Sequence, residues 1–341
     1  MHLCFIGSGF IATQHARVLT AAGRSAPGDA VRLSFASRDK AKAEVLRQAY
    51  GGVFAFGSYR DACAHDDIDA VVVCTPNADH HGTALLAISF RKHVVVDKPV
   101  AITVAEADDI LAAAAREGVS VLVAENHRYQ PHIRWLEDLL AVDALGRAKM
   151  IRIHSHQRVS FPAGGWRSTL AMMGGGVLID GGVHWVNSLL TLGDGDASQV
   201  KAVESQRSLP RCPGEDTVVV SCLLKNGAVG VLTYSWSIEP PLPDRFIAVH
   251  GEKGSAFVDN RGRFGATFVG KRLRPKLFPR RDREGFFAMW RDFLAQLTRG
   301  AGSRYLATGL MGRRDLAFVE AAYRSLGTSD GYFAAAGESA Q

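Results

Sequence analysis

The stretch LCFIGSGFIA, residues 3–12, decides the fold of this chain. Gly7, Gly9 and Ala12 fit the pattern G-x-G-x-x-G/A between an apolar run and a helical pattern. The first glycine permits a tight turn, the second lets the backbone approach a pyrophosphate, and a small third residue allows close helix–strand packing. A glycine turn with a purely structural role is the alternative. We expect dinucleotide binding here, with Gly7, Gly9, Phe10 and Ile11 at the pyrophosphate.

Strand and helix patterns alternate from this stretch to about residue 125. Because such alternation is typical of βαβ units, it predicts a doubly wound parallel α/β sheet of the Rossmann type. The predicted strands are Leu3–Ile6, Val31–Ala36, Ala70–Cys74, Val94–Val96 and Val119–Val123. The predicted helices are Ile11–Ala22, Lys40–Ala49, Ala78–Ile88 and Val104–Arg116.

Period-2 sequence dominates after about residue 145 and predicts a second, α+β domain with a large, mostly antiparallel open sheet. Its predicted strands are Met150–His156, Val218–Leu224, Val229–Ser237 and Phe246–Val249. Lys225-Asn226-Gly227 predicts a hairpin with a type I′ turn. Two late helices, Gly285–Thr298 and Gly309–Ser325, are expected to pack back onto the body. We place the domains at residues 1–125 and 126–341.

Composition and charge argue against a membrane protein, a disulfide-rich protein and a nucleic-acid-binding protein. The chain has 341 residues, is 47% hydrophobic and 22% charged, and shows no basic leader and no apolar run near the ~20 residues that cross a bilayer. We therefore expect a cytoplasmic protein without a membrane partner. Five cysteines without a C-x-x-C pair favour neither disulfides nor zinc. Much of the net charge of +6 lies in Lys271–Arg283, which we expect to be a solvated loop and not a nucleic-acid site.

The residues at the end of the second predicted strand indicate which dinucleotide the protein binds. An acidic residue there would bind the ribose 2′-hydroxyl, but the sequence has Ser37 and Arg38. A hydroxyl and a guanidinium suit a 2′-phosphate, so NADP(H) is favoured over NAD(H). In the alternative, Arg38 is a surface charge and Asp39 is the displaced ribose acid.

Polar residues follow the next two strands, at the sheet edge where open α/β folds bind ligands. Thr75, Pro76, Asn77 and His80 follow one strand, and we expect them beside the cofactor. The dipeptide Asp97-Lys98 ends the next strand. A surface salt bridge is the ordinary role of such a lysine, but its place beside the expected nicotinamide favours catalysis or substrate binding.

A glycine-rich segment, Gly174 to Trp185, predicts a helix in the second domain. Asp180 and His184, four residues apart, would share one helix face, as an ordinary carboxylate–imidazole pair would. Gly181 and Gly182 are costly inside a helix, which indicates that some group approaches the backbone closely there, with a cofactor or a substrate as the candidate.

These motifs together resemble the glucose-fructose oxidoreductase, inositol dehydrogenase and rhizopine-catabolism (Gfo/Idh/MocA) family of dinucleotide-dependent dehydrogenases, over almost the whole chain. The resemblance rests on the glycine turn, T-P-N-x-x-H at residues 75–80, D-K-P at 97–99, G-G-G-x-x-x-D-x-x-x-H at 174–184 and H-G-E-K-G-S at 250–255. Asp97 stands where the family usually has glutamate.

The resemblance implies an enzyme that moves a hydride between a nicotinamide and a carbinol or ketone of a sugar, cyclitol or sugar-derived substrate. It implies that Lys98, Asp180 and His184 line the reacting carbinol. It also implies substrate contacts from Asn126, Arg128, Tyr129, Trp166 and Arg167, and a sheet face that forms a homodimer or homotetramer. A proton carrier that titrates near neutrality is needed, so we expect His184 to be the general acid/base.

Three alternatives remain beside this interpretation. His154 and His156 on one strand face are compatible with a metal site, but no further ligand motif completes it, so we expect no metal. An NAD-dependent glycosidase shares the fold and oxidises its sugar only transiently. A regulator without catalysis would bind the dinucleotide alone, but it would not need the Lys98, Asp180 and His184 set.

Overall fold

The computed structural model describes residues 1–23, 31–161, 164–240, 245–259 and 261–327. The chain forms two compact units. The first comprises residues 1–125 and 286–313, and the second residues 126–285 and 314 onward. The predicted fold class, a Rossmann domain with a second domain on a large antiparallel sheet, is confirmed. Within the described residues no helix has the length and apolar character needed to span a membrane.

The first unit is a six-stranded parallel sheet in the order β3-β2-β1-β4-β5-β6. Its strands are β1 (His2–Ile6), β2 (Arg32–Ala36), β3 (Ala55–Phe56), β4 (Ala70–Val73), β5 (His93–Val96) and β6 (Val121–Val123). Its early helices are α1 (Phe10–Gly23), α2 (Lys40–Tyr50), α3 (Tyr59–Ala64), α4 (Asp79–Ser89) and α5 (Val104–Glu117). All residues of β1 and β4 are buried, as expected for central parallel strands covered on both faces.

The second unit carries an eight-stranded sheet in the order β14-β13-β12-β11-β7-β10-β9-β8. Only β7 and β10 pair in parallel among the registered neighbours. The strands are β7 (Ala148–His156), β8 (Ala197–Glu204), β9 (Thr217–Leu224), β10 (Val229–Ser235), β11 (Arg245–Gly251), β12 (Gly254–Asp259), β13 (Phe264–Val269) and β14 (Arg272–Leu277). The helices are α6 (Pro131–Ala141), α7 (Leu170–Met173) and α8 (Val183–Leu192).

Two helices late in the chain complete the fold. Helix α9 (Phe286–Arg299) belongs to the first unit, where it packs against α1. Its Trp290 and Phe293 are among the largest fully buried side chains. Helix α10 (Gly309–Ser325) begins in the first unit and continues into the second.

One face of the large sheet buries its side chains beneath α8, which packs against β7 and β10. The opposite face exposes apolar side chains in register across neighbouring strands. Val229 pairs with Leu223 and with Met150, and all three are at least one-third exposed. Phe268 pairs with Leu273, which is 69% exposed. This outer sheet face is therefore apolar over several strands, which is unusual for a surface exposed to water.

Two expectations for the second unit are wrong. The turn between β9 and β10 has a positive φ at Gly227 alone, so it is not type I′, which needs positive φ at both central residues. Leu224 and Ala228 bond across a three-residue loop, as in a type I turn closed by a left-handed glycine. The basic segment Lys271–Arg283 is not all loop, because Arg272–Leu277 forms β14. Pro275 is tolerated there since an edge strand leaves one side unpaired.

Candidate active site

The glycine turn of the first unit has the geometry that a pyrophosphate needs. Gly7 has φ +111°, and a Cβ there would lie 2.4 Å from the Cys74 carbonyl oxygen, so only glycine fits. A Cβ at Gly9 would meet nothing within 4 Å, which leaves that backbone open to a ligand. Helix α1 has no acidic residue in its first turn. Its amino end therefore favours an anion.

The three residues after β2, Ser37, Arg38 and Asp39, have different surroundings. Ser37 is buried, and its Oγ lies 3.4 Å from that of Ser8 in the glycine turn. The Asp39 carboxylate caps α2, accepting the Ala41 N–H at 3.0 Å. Arg38 is exposed beside Tyr59, whose pKa is raised by burial against the opposing charge of Arg38. The structure thus shows Asp39 engaged as a helix cap and Arg38 exposed at the end of the strand.

The loop after β4 is held by a buried imidazole. His80 is 1% exposed, and its Nδ1 and Nε2 lie 2.6 Å from the Pro99 carbonyl oxygen and 2.9 Å from that of Thr75. Burial lowers the pKa of His80. Since its ring nitrogens face backbone carbonyls, His80 ties the end of β4 to the end of β5. The Thr75 hydroxyl is also buried, and within the part of the chain that the structure describes it has no hydrogen-bond partner, so it can serve a ligand.

Asp97 and Lys98 follow β5 at the same sheet edge. Both residues are partly buried, and the peptide bond from Lys98 to Pro99 is cis. Burial acts to raise the pKa of Asp97, but the facing His15 imidazole and the Lys98 ammonium outweigh it and lower that pKa. Asp97 is therefore an anion at neutral pH. The first unit thus gathers the glycine turn, Ser37, Thr75 and Lys98 at the carboxyl ends of its strands.

In the second unit, Asp180 lies on an irregular turn. The helical stretch predicted from Gly174 begins only at Val177, and Leu178–Gly182 forms a π-helical turn before α8 begins at Val183. Such turns occur frequently at functional sites. Asp180 is 1% exposed and accepts hydrogen bonds from Arg167, Nε to Oδ2 at 2.5 Å and Nη2 to Oδ1 at 3.4 Å.

The Arg167 guanidinium lies 4.2 Å from the centre of the Trp166 ring. Arg167, which lies over the Trp166 ring, thus holds the Asp180 carboxylate in place. Both Trp166 and Arg167 belong to a short 3-10 turn, Trp166–Ser168.

His184 is the second residue of α8, and its ring stacks on a second imidazole. The rings of His184 and His127 are 4.1 Å apart at their centroids and inclined by 16°, and Trp185 lies edge-on to His127 at 4.6 Å. The sequence prediction named three neighbours of His127 but not His127 itself. His127 lies within the segment 126–129 that was predicted near the substrate, and this was the available signal. Only the fold shows that His127 contacts His184.

The other residues predicted at the substrate are largely engaged inside the second unit. Asn126 donates to the Glu284 carbonyl at 2.8 Å, and Arg128 donates to Thr191 Oγ1 at 2.7 Å. Tyr129 is 1% exposed beneath the Arg134 guanidinium. Their substrate contacts stay a prediction.

The glycines near Asp180 are explained by protein packing. A Cβ at Gly181 would lie 2.2 Å from the Tyr234 hydroxyl and 2.3 Å from Trp236, and one at Gly176 would lie 2.1 Å from the Glu215 carboxylate. A Cβ at Gly182 would lie 3.2 Å from the Tyr234 ring and from Leu178. Side chains of the protein therefore account for the close approach that the two glycines indicate. The buried Glu215 also accepts the Leu178 N–H at 2.8 Å, which fixes the start of the π turn.

Comparison with known proteins finds two family models that match consecutive parts of the chain. Residues 1–125 match the model of an oxidoreductase family with an NAD-binding Rossmann fold, and residues 133–257 match the GFO/IDH/MocA C-terminal domain. The uncharacterized oxidoreductase YrbE of Bacillus subtilis is 27% identical over 59% of this chain and 58% of its own length. The chain thus spans less than two thirds of that relative.

Two further similarities extend over more of the chain. The 1,5-anhydro-D-fructose reductase of Ensifer adhaerens is 26% identical over 68% of each chain. The crystal structure of GenD2 from gentamicin A biosynthesis in complex with NAD has a TM-score of 0.81 and 26% identity, and the match covers 96% of this chain and 94% of that one.

Proposed function

We propose a function from one premise: the chain belongs to the Gfo/Idh/MocA family of oxidoreductases with an NAD-binding Rossmann fold. The proposed reaction is hydride transfer between a nicotinamide dinucleotide and a carbinol or ketone of a sugar, cyclitol or sugar-derived substrate. The observation that carries it is the carboxyl edge of the first sheet, where the open backbone of Gly9 and the unpartnered hydroxyl of Thr75 adjoin the strand end that bears Lys98.

The residues of the first unit suit a dinucleotide. Gly7, Gly9, Phe10 and Ile11 would hold the pyrophosphate at the amino end of α1. Ser37 and Arg38 would meet the ribose, and with Asp39 engaged as a helix cap their chemistry favours NADP(H) over NAD(H). Thr75, Pro76, Asn77 and Asp97 would line the nicotinamide side, with His80 holding their loop.

When bound, the nicotinamide supplies or accepts the hydride at its C4 atom. We assign the hydroxyl proton to His184, because an imidazole titrates near neutrality. Lys98 would donate a hydrogen bond to the reacting oxygen and stabilise developing alkoxide charge. Asp180, fixed by Arg167, would accept a hydrogen bond from the imidazole or from a substrate hydroxyl.

The substrate class follows from relatives and from side-chain chemistry. One relative is named as a reductase of an anhydro sugar. Carboxylates, ammonium groups and imidazoles at the proposed site suit the many hydroxyls of a sugar or cyclitol. Of the two loops that we expect to select among such substrates, 157–169 and 239–244, residues 162–163 and 241–244 lie outside the described residues.

We also propose a homodimer or homotetramer in the cytoplasm, with no nucleic acid and no membrane as partner. The outer sheet face supports the assembly, because an apolar face over several strands favours burial against a second copy.

The experiment that tests the proposal is kinetic. Lys98→Ala and His184→Ala should each lower kcat by about 10² to 10⁴-fold while the NADP(H) affinity stays within a few-fold of wild type. The wild-type pH profile should show an ionisation between roughly pH 6 and 8 that the His184 variant lacks. His81→Ala, a histidine on α4 near Asp109, is the matched control. A His184→Ala enzyme with near-normal kcat and an unchanged profile would contradict the assignment.

A further inference from the structure

A buried imidazole links helix α9 to the strand end that carries Lys98. His15 lies on α1 and is 0% exposed. Its ring packs edge-on against Trp290 and Phe286 of α9, with centroids 5.4 Å and 5.3 Å away. A polar ring in this apolar setting is costly unless its nitrogens are used.

Trp290 fixes the tautomer of this ring. The Trp290 indole Nε1 lies 3.0 Å from His15 Nδ1, and both atoms are buried. An indole N–H only donates, so Nδ1 must be the acceptor and carries no proton. In neutral His15 the proton is therefore on Nε2.

The Nε2–H of His15 faces the carboxylate before Lys98. Nε2 lies 4.0 Å from Asp97 Oδ1 and has no hydrogen-bond partner among the described residues. At this distance the Nε2–H dipole and the buried carboxylate attract each other electrostatically, although the separation exceeds a normal hydrogen-bond length. The pKa of Asp97 is consistent with this contact, since His15 is among the groups that overcome the effect of burial and lower it.

We infer that His15, held in its Nε2–H tautomer by Trp290, is a positioning residue that orients the Asp97 carboxylate and thereby the adjacent Lys98. The chain of contacts runs from α9 through α1 to the end of β5, inside one unit. His15 itself touches neither substrate nor cofactor. The catalytic consequence rests on the proposed function, because it assumes that Lys98 serves the reacting oxygen.

Two measurements on the full-length protein test the contacts without substrate. Nitrogen NMR of histidine-labelled protein at pH 8 should show His15 protonated on Nε2 alone, and Trp290→Phe should give a mixture of tautomers. Carboxyl-carbon NMR should show a higher pKa for Asp97 in His15→Leu than in wild type, because a facing donor is lost. An Nδ1–H tautomer in wild type, or an unchanged Asp97 titration in His15→Leu, would overturn the inference.

Kinetics then test the consequence for Lys98. His15→Leu should lower kcat about tenfold while the NADP(H) affinity stays within a few-fold of wild type. The amide N–H of His15→Gln reaches a point similar to that of the Nε2–H, so this variant should recover most of the lost kcat. The matched control is His2→Leu, which removes an equally buried histidine, bonded to Ser34 at 2.8 Å, at the amino end of β1. Equal kcat values for His15→Leu and wild type, or for His15→Leu and His15→Gln, would refute positioning.

The design separates this inference from the proposed function. If wild type binds NADP(H) but reduces or oxidises no polyol, the proposed function fails, while the tautomer and the Asp97 titration still decide whether the contacts exist. If His15→Leu does not fold, Trp290→Phe and His15→Gln give the same comparison with smaller changes in the core.

Discussion

Arg38 is the residue on which cofactor preference depends. Arg38→Ala should weaken NADPH binding by about 1 to 3 kcal/mol and leave NADH nearly unchanged, because a charge-assisted contact is lost to one ligand only. Titration calorimetry with both cofactors measures this. Arg32→Ala, at the amino end of the same strand, is the control. Equal losses for both cofactors, or a wild-type preference for NADH, would mean that the 2′-phosphate is not held by Arg38.

His132 gives the second unit a pH-dependent stability. Burial lowers the pKa of His132 to about 4, and neither ring nitrogen bonds to any residue that the structure describes. Between about pH 6.5 and 4, His132 is protonated in the unfolded chain but neutral in the folded chain. The free energy of unfolding therefore falls as the pH falls through that range. The full effect is about 3 kcal/mol at 1.36 kcal/mol per pKa unit.

His132→Phe should remove most of this dependence. Urea unfolding of both proteins at pH 7 and pH 4.5 measures it, and the variant should lose less stability between the two values. Parallel losses in wild type and variant would show that other groups cause the acid sensitivity.

Residue-level contacts were the least predictable from sequence. Nothing in the spacing of Arg167 and Asp180, thirteen positions apart, indicates an ion pair, because it depends on the path of an irregular loop. His15 is a similar case. It follows Ala12 at helical spacing on the buried face of α1, which indicates a core position but not the contact with Trp290, 275 residues away.

Alanine substitutions at Gly9 and Gly181 should have different effects, one on ligand binding and the other on folding. Gly9→Ala adds a Cβ into open space, so it should fold normally and lose dinucleotide affinity, since the methyl group obstructs the pyrophosphate. Gly181→Ala places a Cβ 2.2 Å from the Tyr234 hydroxyl and should destabilise the protein by about 1 to 3 kcal/mol.

Thermal unfolding and cofactor titration of both variants provide the comparison. A Gly9→Ala protein that binds NADPH as well as wild type would show that the backbone of the glycine turn does not contact the cofactor. A Gly181→Ala protein with unchanged stability would show that the π turn tolerates a side chain.

Elements with strong apolar runs were predicted to within a few residues. The predicted strand Leu3–Ile6 became His2–Ile6, and Gly309–Ser325 was predicted with its observed bounds. Strand β3, two residues long, has no periodicity to detect. Strand β14 carries no buried residue, so its pattern resembles a loop, and only its pairing with β13 reveals it.

The whole molecule should assemble through the outer sheet face. Light scattering at micromolar concentration should report a dimer or tetramer, because the exposed apolar residues of β9, β10 and β7 are too extensive for a stable monomer surface. Changing Val219 and Val229 together to lysine should shift the protein toward monomer, whereas Val45→Lys on α2, itself 64% exposed, should not. A wild-type monomer would contradict the assembly.

The most direct test of hydride transfer follows the hydrogen itself. NADPH carrying deuterium at the transferable C4 position would be incubated with a panel of keto-sugars and inosose-type ketones. We expect deuterium at the new carbinol carbon of one substrate class, in a single configuration and with stoichiometric NADP⁺. Lys98→Ala should slow this transfer by about 10² to 10⁴-fold. Cleavage of a glycosidic bond without net oxidation of the cofactor, or no deuterium transfer to any ketone, would contradict it.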